Sequence, residues 1–136
     1  MLGRICLSLS ALFQLLGPFI ADFNETHVLN PRWPPHARFH NGQTMSMGVC
    51  LALGTLYYTH RPVAEDAAAD SIFTAALFGS MYWITGLSAI LYPGSKGMDP
   101  EFGEGFPQSW LFGGLLGLTW TGWWLETARL AGRSER

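Results

Sequence analysis

The chain has 136 residues, of which 49% are apolar, 14% aromatic and only 13% charged, and its formal net charge is −2. A soluble domain usually carries about twice that share of charged residues. A near-neutral chain without a basic cluster excludes an electrostatic nucleic-acid binder. The charges lie between apolar blocks, as in a polytopic membrane protein. The composition therefore predicts a single membrane domain, residues 1–136, with the lipid bilayer as its surroundings.

Four apolar segments predict four spanning helices, and hence an all-α, integral membrane four-helix bundle. The Pro34-Pro35 pair excludes regular helix before Pro35, and Pro35 is itself a favourable first helical residue. Pro93 and Gly94 predict the end of the third helix. The predicted spans are about 5–21, 35–60, 71–92 and 110–128.

The basic residues predict the orientation of these spans. Four spans place both termini on one side of the membrane, together with the second loop. That side carries five basic residues (Arg4, Arg61, Arg129, Arg133 and Arg136), and the other carries three (Arg32, Arg38 and Lys96). The positive-inside rule therefore predicts that both termini are cytoplasmic. The same parity brings the first and third loops to one membrane face.

The first loop and the start of the second helix hold three of the four histidines. On a helix that begins at Pro35, His36 and His40 are spaced i, i+4, and Gln43 continues their face. The acidic third loop is expected to orient the two histidines from across the bundle. The predicted catalytic set is His36, His40, Asp99, Glu101 and Glu104. The predicted ligand-binding set is His27, Arg32, Trp33, Arg38 and Gln43.

These residue types are compatible with four roles. An imidazole opposed by a carboxylate can transfer protons. His36 and His40 with His27 and a carboxylate have the donor types of a metal site, but the chain lacks a His-Glu-x-x-His motif, and no metal ligand is assigned. Arginine and histidine above aromatic residues suit a lipid headgroup or a quinone. Interfacial side chains with wet tips and no catalytic role would produce the same pattern.

The run from His27 to His40, His-Val-Leu-Asn-Pro-Arg-Trp-Pro-Pro-His-Ala-Arg-Phe-His, resembles the signature of an uncharacterised family of small four-span membrane proteins. In size and number of spans the chain also resembles the broad DoxX-like group. Some DoxX-like proteins resemble accessory subunits of quinone-linked oxidoreductases. The resemblance implies a four-span layout over the whole chain, and it assigns no reaction, cofactor or catalytic residue.

Two functions from different classes follow. The first is the binding, with acid/base conversion as a further step, of a small lipophilic molecule or quinone on the non-cytoplasmic face. It requires a pocket lined by His36 and His40 with a carboxylate nearby. The alternative is a non-catalytic accessory subunit of a larger membrane complex, for example a quinone-linked oxidoreductase. Its small-residue faces would then turn outward to membrane protein partners: Ala75, Gly79, Gly113 and Gly117.

Overall fold

The computed structural model describes residues 1–134, which form four long α-helices and no strand. The helices are α1 (Leu2–Asp22), α2 (Pro35–His60), α3 (Ala68–Ser88) and α4 (Gln108–Ser134), and 3-10 turns flank α3 at Glu65–Ala67 and Ala89–Leu91. The prediction of an all-α fold with four helices is confirmed. Arg136, one of the basic residues counted on the terminal side, lies outside the described residues.

Local chemistry accounts for most helix ends. Pro35 begins α2, as predicted, because a proline needs no N–H partner in the first turn. The residue before a proline is driven out of the helical region, and Arg61, which precedes Pro62, is extended with ψ 142°. Gly94 adopts φ +77° in the turn that follows α3, a conformation that glycine takes without steric cost.

The four helices form a ring in which α1 and α3 each pack against both α2 and α4. Glycines set the closest approaches. A Cβ added at Gly122 of α4 would lie 2.9 Å from the carbonyl oxygen of Gly3 on α1, and one added at Gly48 of α2 would lie 2.8 Å from the carbonyl oxygen of Gln14. Backbones this close leave no room for side chains between them.

Hydrogen bonds cross the middle of the bundle. The buried Gln14 amide donates to the backbone oxygens of Phe78 (3.2 Å) and Gly79 (2.9 Å). The Ser10 hydroxyl accepts from the indole N–H of Trp83 at 3.1 Å and lies 2.7 Å from the hydroxyl of Thr119. Large apolar side chains are exposed on the outside, among them Leu16, Leu53, Phe73, Leu77, Ile84 and Trp124. Apolar residues, among them Leu7 and Ile72, also form part of the core. A soluble bundle would nevertheless bury fewer polar side chains and expose fewer large apolar ones.

Two segments within residues 1–134, Leu2–Asp22 and Glu65–Leu91, are long and apolar enough to cross a membrane by themselves. The four-span layout and the cytoplasmic termini stay predictions.

Both ends of the described chain lie at one end of the bundle. The buried carboxylate of Glu126 accepts hydrogen bonds from Arg4 Nε (2.8 Å), from Arg129 (2.7 Å) and from the amino group of Met1 (3.2 Å). This end of the bundle is called the terminal end. The opposite end carries the first and third loops and is called the loop end.

Candidate functional site

The first and third loops meet at the loop end, as the parity of four helices predicts. The guanidinium of Arg32 hydrogen-bonds to the carboxylate of Glu101. The amide of Asn30 donates to the same carboxylate at 3.3 Å, and the indole N–H of Trp33 lies 3.4 Å from Asp99 Oδ2. The acidic loop therefore pairs with the middle of the first loop and not with the histidines of α2.

This loop contact is exposed and electrostatic. The hydrogen bond from Arg32 holds the pKa of the Glu101 carboxyl below its ordinary value, and the same bond raises the pKa of Arg32. Asn30 is only 2% exposed, and it anchors the contact because its Oδ1 accepts the backbone N–H of Arg32 at 2.9 Å. Arg38 donates to the backbone oxygen of Asn30 at 2.6 Å. Arg32 thus joins the two loops, whereas Arg38 ties the start of α2 to the first loop. Neither lines the cavity described below.

His36 and His40 share one face of α2, as their spacing predicts. Their Nε2 atoms lie 3.1 Å apart, and His40 Nδ1 lies 3.3 Å from the side-chain oxygen of Gln43. Both rings are exposed, and no carboxylate of the described chain hydrogen-bonds to either. Their catalytic role stays a prediction, but the opposing carboxylate that it requires is not beside them.

The remaining predicted carboxylates do not assemble a metal centre. Glu104 is exposed on a small pocket of the third loop, while Asp99 lies beside Trp33. Within residues 1–134, no three histidine, cysteine or carboxylate side chains are close enough to hold a metal ion together.

A cavity of about 860 Å³ opens at the loop end and receives residues from all four helices and both loops. Its walls are mainly apolar and include Phe13, Met47, Trp83, Phe106, Phe112 and Leu115. Its polar lining includes Asp22, Thr26, His27, Gln43, Lys96, Asp99 and Gln108. Four of the predicted site residues therefore line the cavity, namely His27, Trp33, Gln43 and Asp99. The other six do not: Arg32, His36, Arg38, His40, Glu101 and Glu104.

Local hydrogen bonds determine the tautomer of His27. Asn24 donates from Nδ2 to the backbone oxygen of Ala21 (2.7 Å), and its Oδ1 accepts the backbone N–H of Thr26 (2.8 Å). These two bonds fix the orientation of the Asn24 amide, with Oδ1 as the acceptor. The Thr26 hydroxyl lies 2.6 Å from this Oδ1 and must donate its single hydrogen to it. The same hydroxyl lies 2.7 Å from His27 Nδ1, which must therefore carry the hydrogen of that bond.

This tautomer leaves His27 Nε2 as the nitrogen that can exchange a proton with a bound molecule. Nε2 lies 3.8 Å from Asp22 Oδ1, an ion pair when the ring is protonated. Asn41 holds this carboxylate by donating to Oδ2 at 2.9 Å. The edge of Trp33 packs on the imidazole, with ring centroids 5.0 Å apart. The histidine–carboxylate pair of the cavity is thus His27 with Asp22.

Sequence reasoning missed Asp22, Lys96 and Gln108 as parts of a site. Asp22 served only to mark the end of the first span, although a carboxylate at a helix end five residues before a histidine was a usable signal. Lys96 entered only as a charge in the orientation count. Gln108 carried no signal at all. Its Nε2 donates to the backbone oxygen of Gly97 at 2.7 Å, and its buried Oε1 has no partner in the described chain.

The comparisons with known proteins identify a family and no activity. No curated protein and no solved structure matches the chain. The resemblance to the DoxX-like group stays a prediction, whereas membership of an uncharacterised family is confirmed. Residues 6–136 match the family described as "Family of unknown function (DUF6640)", and the chain belongs to that family.

Proposed function

We propose that this protein is an integral membrane protein that binds a small lipophilic molecule in the loop-end cavity. The observation that carries the proposal is the cavity itself. Its volume of about 860 Å³ is within the range of small-molecule sites, and its apolar walls end in a few polar groups. Such a lining suits a molecule with an apolar body and one polar end, such as a quinone or a related lipid.

The surface of the bundle supports a membrane location. Large apolar side chains cover its outside, while Ser10, Gln14 and Thr119 are fully buried. All four helices cross the bilayer in this proposal, although α2 and α4 are less apolar than α1. The basic residues of the terminal end favour cytoplasmic termini, and in this proposal the cavity therefore opens on the non-cytoplasmic face.

Acid/base conversion of the bound molecule belongs to the same proposal. The residue in position for this chemistry is His27, because it lines the cavity and its Nε2 lies 3.8 Å from the carboxylate of Asp22. Of the pair expected from sequence, His40 lies one turn and His36 two turns before the α2 residues that line the cavity. The polar end of a molecule in the cavity would therefore contact His27 and not this pair.

A substitution that fills the cavity tests the binding proposal. Ala89 lines the cavity and is exposed in it, so Ala89→Trp should occupy the space that a ligand needs. Ala128 is exposed on α4 outside the cavity, and Ala128→Trp is the matched control. Each protein is purified in mild detergent, and co-purifying lipophilic molecules are extracted and quantified by mass spectrometry. The wild-type protein and Ala128→Trp should retain one molecule per chain that Ala89→Trp loses. Equal retention by all three proteins, or none by the wild type, contradicts the proposal.

A specific observation also favours the second candidate, a non-catalytic subunit related in role to the DoxX-like accessory proteins. Ala75 and Gly79 are buried inside the bundle and cannot face a partner. Gly113, Gly114 and Gly117, in contrast, form an exposed strip on α4 where an added Cβ would meet nothing within 4 Å. Close helix packing in membranes uses such surfaces.

The subunit function is tested by cross-linking in native membranes. Gly117→Leu should remove cross-links to a partner membrane protein, since leucine would keep the two helices apart. Gly132→Leu, at another open glycine near the end of α4, should retain them. Loss of lipophile retention in Gly117→Leu would point to damage of the bundle and count against this interpretation.

A further inference from the structure

Two residues of the cavity lining, His27 and Gln108, each have a hydrogen-bond acceptor atom without a hydrogen-bond partner among the described residues. We infer that the molecule bound there carries a hydroxyl group at its polar end, and that His27 Nε2 and Gln108 Oε1 accept its hydrogen. This inference rests on the proposed function, and it names the ligand class for the same site. It distinguishes a phenol, a quinol or another hydroxylated lipid from a quinone or an ether, which can only accept.

The first acceptor is the ring nitrogen of His27. Nδ1 carries the ring hydrogen of the neutral form, because Thr26 must donate its hydroxyl to Asn24 and so can only accept from the imidazole. In the neutral ring the lone pair is therefore on Nε2, and His27 lines the cavity. Within the described chain it makes no hydrogen bond, and Asp22, its nearest charged neighbour, is also an acceptor.

The second acceptor is the side-chain oxygen of Gln108. The orientation of this amide follows from its contact with Gly97, since a backbone oxygen can receive only the NH₂ group. Oε1 is consequently the atom left buried without a partner among the described residues, and Gln108 lines the cavity. A buried acceptor that lacks a partner destabilises the protein, because its lost hydrogen bonds to water are not replaced. A donor on a ligand would replace one of them.

The charged groups of the cavity favour the same ligand. Asp22 and Asp99 add two acceptor carboxylates, and Lys96 is the one fully charged donor of the lining. A hydroxyl can donate to His27 or Gln108 and accept from Lys96 at once. A carbonyl or an ether can accept from donors of the lining such as Lys96 and the Tyr82 hydroxyl, but it would leave the buried Gln108 Oε1 without a partner among the described residues.

Two probes that differ by one donor test the inference. 4-Butylphenol has the hydroxyl, and 4-butylanisole is its methyl ether with the same apolar skeleton. Binding to the full-length protein in lipid nanodiscs is measured by isothermal titration calorimetry, with empty nanodiscs to subtract partition into lipid. The phenol should bind about fivefold or more tightly, the effect expected of one buried hydrogen bond.

Matched variants assign the preference to its acceptors. His27→Asn keeps an amide N–H near the position of Nδ1 but removes the acceptor at Nε2, whereas His27→Gln places an amide oxygen near Nε2. His27→Asn should reduce the preference for the phenol, and His27→Gln should preserve it. Gln108→Met, which removes Oε1 with little change in length, should also reduce the preference. Thermal unfolding of each variant verifies that the bundle is intact.

The outcomes separate this inference from the function on which it rests. Equal binding of phenol and ether by the wild-type protein overturns the inference and leaves lipophile binding standing. A preference that persists in both His27→Asn and Gln108→Met also overturns it. Absence of binding by either probe, beyond that of empty nanodiscs, counts against both proposals.

Discussion

Arg32 and Glu101 are 69 residues apart in sequence, and their side chains form the ion pair that joins the first loop to the third. The pair lies beside the cavity and not inside it. Its neighbours Trp33 and Asp99, which also contact each other, do line the cavity. The loop contact therefore adjoins two residues of the cavity lining.

The loop contact should weaken in acid. The pKa of Glu101 is lowered in the folded protein, chiefly by the hydrogen bond from Arg32. The contact therefore stabilises the fold fully above the ordinary Glu pKa of 4.5. This stabilisation is lost as the pH falls through the lower pKa of the folded protein. Hydrogen exchange of residues 95–107, corrected for the intrinsic effect of pH on exchange, should show protection at pH 6 that is lost as the pH falls below 4.5. Glu101→Gln should remove the pH dependence, and Glu104→Gln should keep it because Glu104 has no ion-pair partner among the described residues. An unchanged pH profile in Glu101→Gln contradicts the assignment.

Alanine substitutions of the three histidines at the loop end should differ in their effect on ligand affinity. His36→Ala and His40→Ala should leave the affinity for 4-butylphenol within about twofold, because both rings are exposed outside the cavity. His27→Ala should weaken binding about fivefold, since it removes an acceptor of the lining. Calorimetry in nanodiscs measures all three. A large loss of affinity in His36→Ala with none in His27→Ala would show that His36 and His40, the pair expected from sequence, form the binding site.

Glycines of α4 should respond to alanine according to the space around them. A Cβ at Gly122 would lie 2.9 Å from both Cys6 Cβ and the carbonyl oxygen of Gly3, so Gly122→Ala must push α1 and α4 apart. We expect a loss of about 1–3 kcal/mol in the free energy of unfolding. Gly114→Ala, on the open face of the same helix, should cost nothing. Reversible unfolding in detergent gives both values, and equal losses would show that this close approach is absent.

Removing the charge of Glu126 should destabilise the terminal end. Its side chain is 0% exposed and receives hydrogen bonds from Arg4 and Arg129. Glu126→Gln leaves both guanidinium groups without their carboxylate, which should cost about 2 kcal/mol in the free energy of unfolding. Ligand binding should change little, since this cluster is at the other end of the bundle from the cavity. Glu65→Gln, an exposed acidic residue before α3, is the control and should have no measurable effect. A loss in Glu126→Gln no larger than this control would contradict the role of the cluster.

Local sequence was enough to predict several parts of the fold. Pro34 and Pro35 place the start of α2, because proline restricts its own φ and the residue before it. The spacing of His36 and His40 puts them on one helical face, since four residues make about one turn. Four helices with short connections also require the first and third loops to share one end, and Arg32 and Glu101 meet there.

The tertiary structure alone decided which of these residues share a cavity. The rotation of each helix about its own axis is set by packing, such as Gly48 of α2 against the backbone of Gln14 in α1, and α2 has no strong apolar face from which to read it. This rotation turns Gln43 and Met47 to the cavity. The site also depends on side-chain orientations that have no periodic signal, such as the Gln108 amide on Gly97. The sequence thus determined the helices and the end of the bundle where the polar residues collect, whereas packing selected His27 and Asp22 as the pair that faces the cavity.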